Sequence, residues 1–280
     1  MSVYEKTELN AEQRLQLCSK LSHQFIGPLN TILSGTEYIQ ASLQKGNAEQ
    51  QQQAVELSAH AIQDSVRCLD RLSQNLLDLL QIFSGGLCPN CTPMELCRPM
   101  ERLLILCRPY AARNEIALEW DPAELAQEIY VCADASLVDR ILLNLLSNAI
   151  RYGRPGGWVR VCLTDRENQL LITVQDNGAG LSPQEGKRAF EPFGTAEIQP
   201  GQQGQSLGLY LVEQFCRAMG WSVRLDGGPQ GTLVQITAPM GKGPDRPLTL
   251  CSGALQQEIR NGEQERRVLR EMEALFGAEK

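Results

Sequence analysis

The sequence has 280 residues, 42% of them hydrophobic and 21% charged, which is typical of a globular protein of one or two domains. A net charge of −7 argues against a surface for nucleic acid or an anionic membrane. The longest apolar stretches, RLLILC and RILLNLLSNAI, are shorter than the roughly 20 residues that span a bilayer, and the polar N-terminus is not a signal peptide. We therefore expect a cytoplasmic protein with no membrane insertion and no nucleic-acid partner.

Two long helices are predicted first, over residues 9–44 and 49–83. Leu21, Phe25 and Leu29 illustrate the apolar side chains that recur near the helical period in the first of them. Similar lengths and a short turn predict an antiparallel hairpin. One hairpin has too little surface to bury both apolar stripes, so we expect a homodimer in which two hairpins form a four-helix bundle.

The stretch FSGGLCPNCTP is rich in glycine and proline and predicts a domain boundary. The predicted organisation is given by four ranges: a helical hairpin over 1–84, a linker over 85–93, a second domain over 94–240, and a linker with a charged helix over 241–280.

Ten cysteines are scattered along the chain, and disulfides are not expected in a cytosolic protein. Cys107, Cys132, Cys162 and Cys216 lie in apolar runs and are expected in the core. The CPNC motif, with cysteines at 88 and 91, has three interpretations: a zinc site, a redox-active thiol pair, or ordinary structural cysteines.

The second domain alternates helices with strands. Helices are predicted over 99–114, 135–153 and 206–220, and strands over 116–120, 129–133, 158–164, 170–175 and in a hairpin over 221–239. This order predicts an α+β protein whose second domain is a two-layer α/β sandwich, with helices on one face of a mixed sheet. The C-terminal helix, rich in charge, is either a solvated helix that touches the domain at one edge or a helix that binds a partner.

Polar residues interrupt the apolar helix in the stretch NLLSNAIRYG. Asn144 and Asn148 lie one turn apart, as do Asn148 and Tyr152. Buried amides require partners, and a hydrated Mg²⁺ ion with phosphate oxygens would satisfy these two. Bonds to water or to a helix end are the alternative. Arg151 is suited to contact phosphate, and Tyr152 to stack on a purine.

Three further motifs follow. In DNGAG, Asp176 ends a strand and can accept a hydrogen bond from an amino group, while Gly178 and Gly180 allow close approach of a ligand. The stretch FEPF is an apolar loop that ends at Phe193. The stretch GQQGQSLGLYLV contains Gly204 and Gly208 and runs into a helix, which suits a phosphate.

Together, and in this order, the four motifs resemble the ATP-binding domain of bacterial two-component sensor histidine kinases, part of the wider group with gyrase and Hsp90. The resemblance covers about residues 94–240, and the hairpin before it is similar to their dimerisation and phosphotransfer domain. It implies ATP and Mg²⁺ as cofactors and a response-regulator receiver domain as a partner, and a separate sensor protein is a further candidate partner.

The resemblance also assigns roles. It implies that Asn148, with Asn144, binds Mg²⁺, that Asp176 recognises adenine, and that the remaining motif residues contact ATP; these are Arg151, Tyr152, Gly178, Gly180, Phe193, Gly204 and Gly208. Members of the wider group that hydrolyse ATP carry a glutamate where this chain has Asn144, so transfer to a protein is favoured over hydrolysis.

His23 lies in the stretch LSHQFIGPLN, roughly 200° round the helix from Leu21, and is expected to face solvent. A neutral imidazole nitrogen there can attack a γ-phosphoryl group. Pro28 offers no N–H to the carbonyl of Gln24 and disturbs the following turn. The resemblance implies that His23 is the phospho-acceptor, with Gln24 beside it.

Ser206 lies where the family usually has a further glycine, and two positions of the histidine motif also depart from the family pattern. Gln24 replaces an acidic residue, and Gly27 replaces a Thr or Asn. We expect slow kinase activity and no phosphatase activity by the usual route. A histidine followed, after three other residues, by Gly-Pro is also similar to phosphotransferases built on a degenerate kinase scaffold. The alternative is therefore a phosphotransfer or pseudokinase interaction module with a regulatory or vestigial nucleotide site.

Overall fold

A computed structural model describes residues 11–45, 47–122, 130–192 and 207–241, together with helical positions 265–266, 268–270 and 272–273. The chain forms two compact units. The first contains the helices up to Asp78, and the second runs from Leu79 to Met272. None of the described helices is both long enough and apolar enough to cross a membrane.

The first unit is the predicted helical hairpin. Helix α1 spans Ala11–Lys45 and helix α2 spans Ala48–Phe83. Asn47 begins α2 with a capping box: its side chain accepts from the N–H of Gln50 at 2.9 Å, and its own N–H donates to the Gln50 side chain at 3.2 Å. These two hydrogen bonds fix the turn that the sequence predicts between residues 44 and 50.

The hairpin buries only part of its apolar surface. Leu17 and Leu21 on α1 and Ala54 and Leu72 on α2 are buried. Other large apolar side chains stay exposed within this unit: Leu15, Ile26, Leu29, Leu33, Tyr38, Leu43, Val55, Leu57, Val66 and Leu77. The expectation that one hairpin cannot cover its apolar stripes is therefore confirmed.

The second unit is built on one mixed sheet. The described strands are β1 (Thr92–Glu95), β2 (Ala117–Asp121), β3 (Tyr130–Ala133), β4 (Trp158–Arg166), β5 (Gln169–Asp176), β6 (Ser222–Gly228) and β7 (Gly231–Gly241). Their order is β1-β3-β7-β5-β4-β2, with β6 also paired to β7. Only the β2–β4 pair is parallel among these described pairs. Strand β7 therefore joins β5 on one edge to β6 and β3 on the other.

Helices cover one face of this sheet. They are α3 (Cys97–Arg113), α4 (Ala135–Tyr152) and α6 (Gly208–Ala218). Alternate residues of the central strands are buried beneath them, as shown by Val159, Val161 and Leu163 on β4. The predicted two-layer α/β sandwich is confirmed.

Helix α4 begins at a well-made cap. The Asp134 side chain accepts hydrogen bonds from the backbone N–H of Ser136 at 2.9 Å and from its hydroxyl at 2.7 Å. Its second oxygen accepts from the backbone N–H of Asn90 at 2.8 Å. Asp134 therefore ties the segment before β1 to the start of the helix.

Two elements were not predicted from the sequence. Strand β1 begins inside the range 85–93 that was predicted as a linker, and it pairs antiparallel with β3. Helix α5 spans Pro183–Arg188 and begins with a capping box between Ser182 and Glu185.

The cysteine predictions need one correction. Cys107 and Cys216 are buried as expected, and Cys162 is partly buried, but Cys132 is exposed. Burial alternates along β3, so that Val131 and Ala133 face the core while Cys132 faces the other way.

The charged C-terminal segment is helical at its described positions. Val268 and Met272 are buried there. Within the second unit, Glu265 accepts from the Arg102 guanidinium of α3 at 2.6 Å. This supports the interpretation of a helix that packs at an edge of the domain, while residues 242–264 lie outside the described residues.

Candidate functional site

The two asparagines of α4 face the start of α6. The Asn144 amide nitrogen donates to the Arg140 carbonyl at 2.8 Å, which directs its Oδ1 away from the helix backbone. A Cβ placed on Gly208 would lie 3.0 Å from that Oδ1 and 3.5 Å from the Asn148 amide nitrogen. The structure thus brings Asn144, Asn148 and Gly208 together, at a helix N-terminus of the kind that favours anions.

Arg151 and Tyr152 form the last turn of α4. The Arg151 guanidinium lies 5.9 Å from the centroid of the Tyr152 ring, and the ring is exposed. The Tyr152 carbonyl accepts from the N–H of Ala179 at 3.0 Å. The end of α4 is therefore joined to the loop that follows β5, with an aromatic ring at its edge.

Asp176 is the last residue of β5 and is half-buried. Its Oδ1 accepts from the N–H of Gly178 at 2.8 Å, and the carboxylate also accepts from the backbone N–H of Thr232. Burial raises the pKa of Asp176, and these two hydrogen bonds offset only part of that effect. A desolvated carboxylate that retains unfilled lone pairs is suited to accept an amino group of a ligand.

The glycines of the DNGAG motif are required by close packing of the protein on itself. A Cβ on Gly178 would overlap the Tyr152 carbonyl. Gly180 has a φ of 71°, and a Cβ there would overlap the Gly228 carbonyl. These glycines were predicted to admit a ligand; in the structure they also let the β5–α5 loop approach α4 and the β6–β7 turn.

Three residues that were not predicted as site residues connect this loop and the segments beside it. Asn177 accepts from the Trp158 N–H through its side chain at 2.7 Å and donates to the Trp158 carbonyl at 3.3 Å. Gly231, with a φ of 128°, packs against the Asp176 carbonyl. The Arg154 guanidinium donates to the carbonyl of residue 229 at 3.3 Å. The glycine-rich stretch DGGPQG, within the hairpin predicted over 221–239, is the sequence signal that could have indicated Gly231.

Several predicted site residues lie elsewhere or outside the described residues. His23 is exposed on α1, as expected, and Gln24 beside it is half-buried. Pro28 is inside α1, which continues through it to Lys45. Phe190 is half-buried, and Phe193, Gly204 and Ser206 lie outside the described residues.

The donor set suits a hard cation bound jointly with phosphate. Among the described residues there is no group of three or more His, Cys, Asp or Glu side chains arranged to hold a metal. The amide oxygens of Asn144 and Asn148 are oxygen donors of the type that Mg²⁺ accepts, and Mg²⁺ commonly takes few protein ligands beside water and phosphate. The residues fit a Mg²⁺ ion carried by a nucleotide better than a free-standing metal centre.

Residues 133–242 match the family of histidine kinase-, DNA gyrase B- and HSP90-like ATPases. This range contains Asn144, Asn148, Asp176 and Gly208. The chain is a homologue of the sensor histidine kinases.

Named relatives extend the similarity into the helical hairpin. The signal transduction histidine-protein kinase/phosphatase MprB of Mycolicibacterium smegmatis is 29% identical over 241 residues, 84% of this chain and 47% of that protein. The structure of full-length ShkA in complex with AMPPNP is 26% identical, with a TM-score of 0.53, over 81% of this chain and 46% of that chain. Histidine kinase ThkA, solved with the response regulator TrrA, shares the fold at 16% identity and a TM-score of 0.60, over 83% of this chain and 64% of that chain.

This histidine kinase homologue spans less than half the length of the curated relatives it matches. The family assignment confirms the resemblance drawn from the four motifs. The match identifies the type of domain, whereas the role of each residue has to be inferred from its geometry.

Proposed function

We propose that this chain is an ATP-dependent protein-histidine kinase that phosphorylates His23. One observation supports the proposal most directly. Asn144, Asn148 and Gly208 lie together beside the Asp176 loop, in a domain of the ATPase family. These groups can bind the two ends of one nucleotide, because Asp176 accepts from the adenine amino group while the asparagines hold Mg²⁺ at the phosphates. Arg151, Tyr152, Phe193 and Gly204 are proposed to complete the site.

The proposed reaction is phosphoryl transfer to nitrogen. A neutral ring nitrogen of His23 forms the bond to the γ-phosphorus as the bond to the β,γ-bridging oxygen breaks and ADP leaves. His23 suits this role because its side chain is exposed on a long helix. Gln24 has no carboxylate to accept a proton, so we expect a slow reaction.

The test is incubation of the whole chain with γ-labelled ATP and Mg²⁺. We expect an acid-labile label on the protein, which His23→Ala removes and Asn148→Ala greatly reduces. His60→Ala is the matched control, because His60 is the other histidine of the sequence and is also exposed on a hairpin helix. An unlabelled wild type, or equal labelling of His23→Ala, would refute the proposal.

We further propose a homodimer and a response regulator as partners. The row of exposed apolar side chains on α1 and α2 supports a second hairpin as their cover, in a four-helix bundle. A response-regulator aspartate is the proposed acceptor from phospho-His23, in keeping with the ThkA–TrrA complex of the same fold. A separate sensor protein, a cytoplasmic location and the domain limits 1–84, 85–93, 94–240 and 241–280 remain predictions from the sequence.

One observation favours a second candidate function. Gln24 and Gly27 take the places of the residues that would assist transfer and dephosphorylation, which suits a phosphotransfer module whose His23 is loaded by another kinase. Titration with ATP discriminates the two, since a module with a vestigial site would bind no ATP at millimolar concentration. Steady hydrolysis is not expected, because Asn144 cannot act as a general base.

A further inference from the structure

Two cysteines meet where β1 pairs with β3. In that antiparallel register Thr92 is opposite Ala133, and Pro93 is opposite Cys132. Cys91 immediately precedes β1, and continuing the alternation of the strand by one residue places it on the face of Pro93, as a diagonal neighbour of Cys132. The pairing thus places two thiols, distant in sequence, side by side.

Other contacts hold this arrangement. The backbone N–H of Asn90 donates to Asp134 at 2.8 Å, which keeps the residue before Cys91 against the end of β3. The Cys132 thiol lies close enough to Cys91 to contribute to the raised pKa of the Cys91 thiol. Cys132 is exposed and Cys91 is partly exposed, so a small reagent can reach the pair.

The sequence suggested a different pair. Cys88 and Cys91 form the CPNC motif, but Cys88 is exposed and precedes both the Asn90–Asp134 hydrogen bond and the β1–β3 pairing, which flank Cys91. We propose that Cys91 and Cys132, and not Cys88 and Cys91, form a reversible disulfide when a low-molecular-weight disulfide is the oxidant. This inference does not depend on kinase activity.

The reaction is a two-step exchange. The exposed Cys132 thiolate attacks one sulfur of the small disulfide, forms a mixed disulfide and releases one small thiolate. The Cys91 thiolate then attacks the Cys132 sulfur and releases the second. Two protein thiols are oxidised by two electrons, the small disulfide is reduced to two thiols, and the two protons end on those thiols.

The environment of Cys91 favours reaction within the pair. Burial, followed by the neighbouring Cys132 and Asp134, raises the pKa of the Cys91 thiol. A thiol with a raised pKa reacts slowly with reagents in solution. The neighbouring thiol compensates, because intramolecular attack has a high effective concentration.

The experiment uses the full chain and oxidised glutathione. After oxidation, remaining thiols are alkylated and the protein is digested without reduction, so that mass spectrometry identifies linked peptides. We expect the loss of two free thiols, a Cys91–Cys132 link, and full reversal by dithiothreitol. The crosslink should also raise the Tm by on the order of 10 °C, since it closes a long loop.

Two variants test which cysteines form the link. Cys88→Ser is the matched control and should form the same link to the wild-type extent, whereas Cys132→Ser should form none at Cys91. If Cys132→Ser does not fold, the wild type and Cys88→Ser decide the question. A Cys88–Cys91 link, a link from Cys91 or Cys132 to any other cysteine, or glutathione retained on Cys132 with no link would overturn the proposal.

Discussion

Replacement of Asp176 by asparagine tests the nucleotide site most directly. The carboxylate accepts from the backbone N–H groups of Gly178 and Thr232, and in the proposed complex it accepts a third donor from adenine. Its two oxygens together offer about four acceptor positions, whereas an asparagine oxygen offers about two and the amide nitrogen only donates. At least one of the three donors would then face an N–H₂ group.

The expected loss follows from that count. A hydrogen bond to a charged acceptor contributes about 1.5–3 kcal/mol, so ATP affinity should fall roughly 10- to 150-fold. Isothermal titration calorimetry with Asp176→Asn measures it. Asp165→Asn on β4 is the control, because it makes the same charge change at an exposed position. Affinity for ATP within twofold of the wild type in Asp176→Asn would refute the adenine-binding role.

Three further predictions concern stability and assembly. Gly180→Ala forces a side chain into a positive φ and against the Gly228 carbonyl, so thermal or chemical denaturation should show a loss of about 2–4 kcal/mol, while Gly186→Ala, with open space around it, should show none. Asp134→Ala should lower the free energy of unfolding by about 1–2 kcal/mol near neutral pH. Burial acts to raise the pKa of Asp134, but hydrogen bonds from Ser136 and Asn90 lower it below its ordinary value of 3.8. The ionised carboxylate therefore stabilises the fold above pH 3.8. Urea denaturation should show the difference in unfolding free energy between the wild type and Asp134→Ala shrinking as the pH falls below 3.8. Leu29→Lys puts a charge on the exposed apolar row of the hairpin, so light scattering should show a shift from dimer to monomer, and an unchanged mass would count against the bundle.

The sequence predicts most of the elements because each carries a strong local signal. Helix α4 has a long apolar pattern after an aspartate cap, and Gly220 ends α6 with a φ of 71°. Strand β1 was missed because its short, proline-containing sequence has no strand signal of its own. Its register comes from β3, which lies well over thirty residues further along the chain.

The candidate site was likewise predicted only in part from the sequence. The motif residues were visible because unusual residue types occur at regular spacing in an apolar context. The contacts that set the geometry of these residues could not be seen in the sequence, because they join segments distant in sequence: Gly180 with Gly228, Asn177 with Trp158, and Arg154 with the β6–β7 turn. The exposure of Cys132 could have been predicted, because alternation along IYVCA already directs Val131 and Ala133 inward.

Because β7 follows the other described strands in the sequence, we expect the sheet to be completed late in synthesis. This last strand of the sheet pairs with β5, β6 and β3, and its residues Gly231 and Thr232 contact Asp176. A nascent chain that ends before residue 231 thus lacks both the connection between the two halves of the sheet and part of the support for the Asp176 loop. Until β7 leaves the ribosome, β5 presents an open edge to other chains. ATP binding is therefore expected only once translation has passed the end of β7, and premature truncation there should yield aggregation-prone chains that bind no nucleotide.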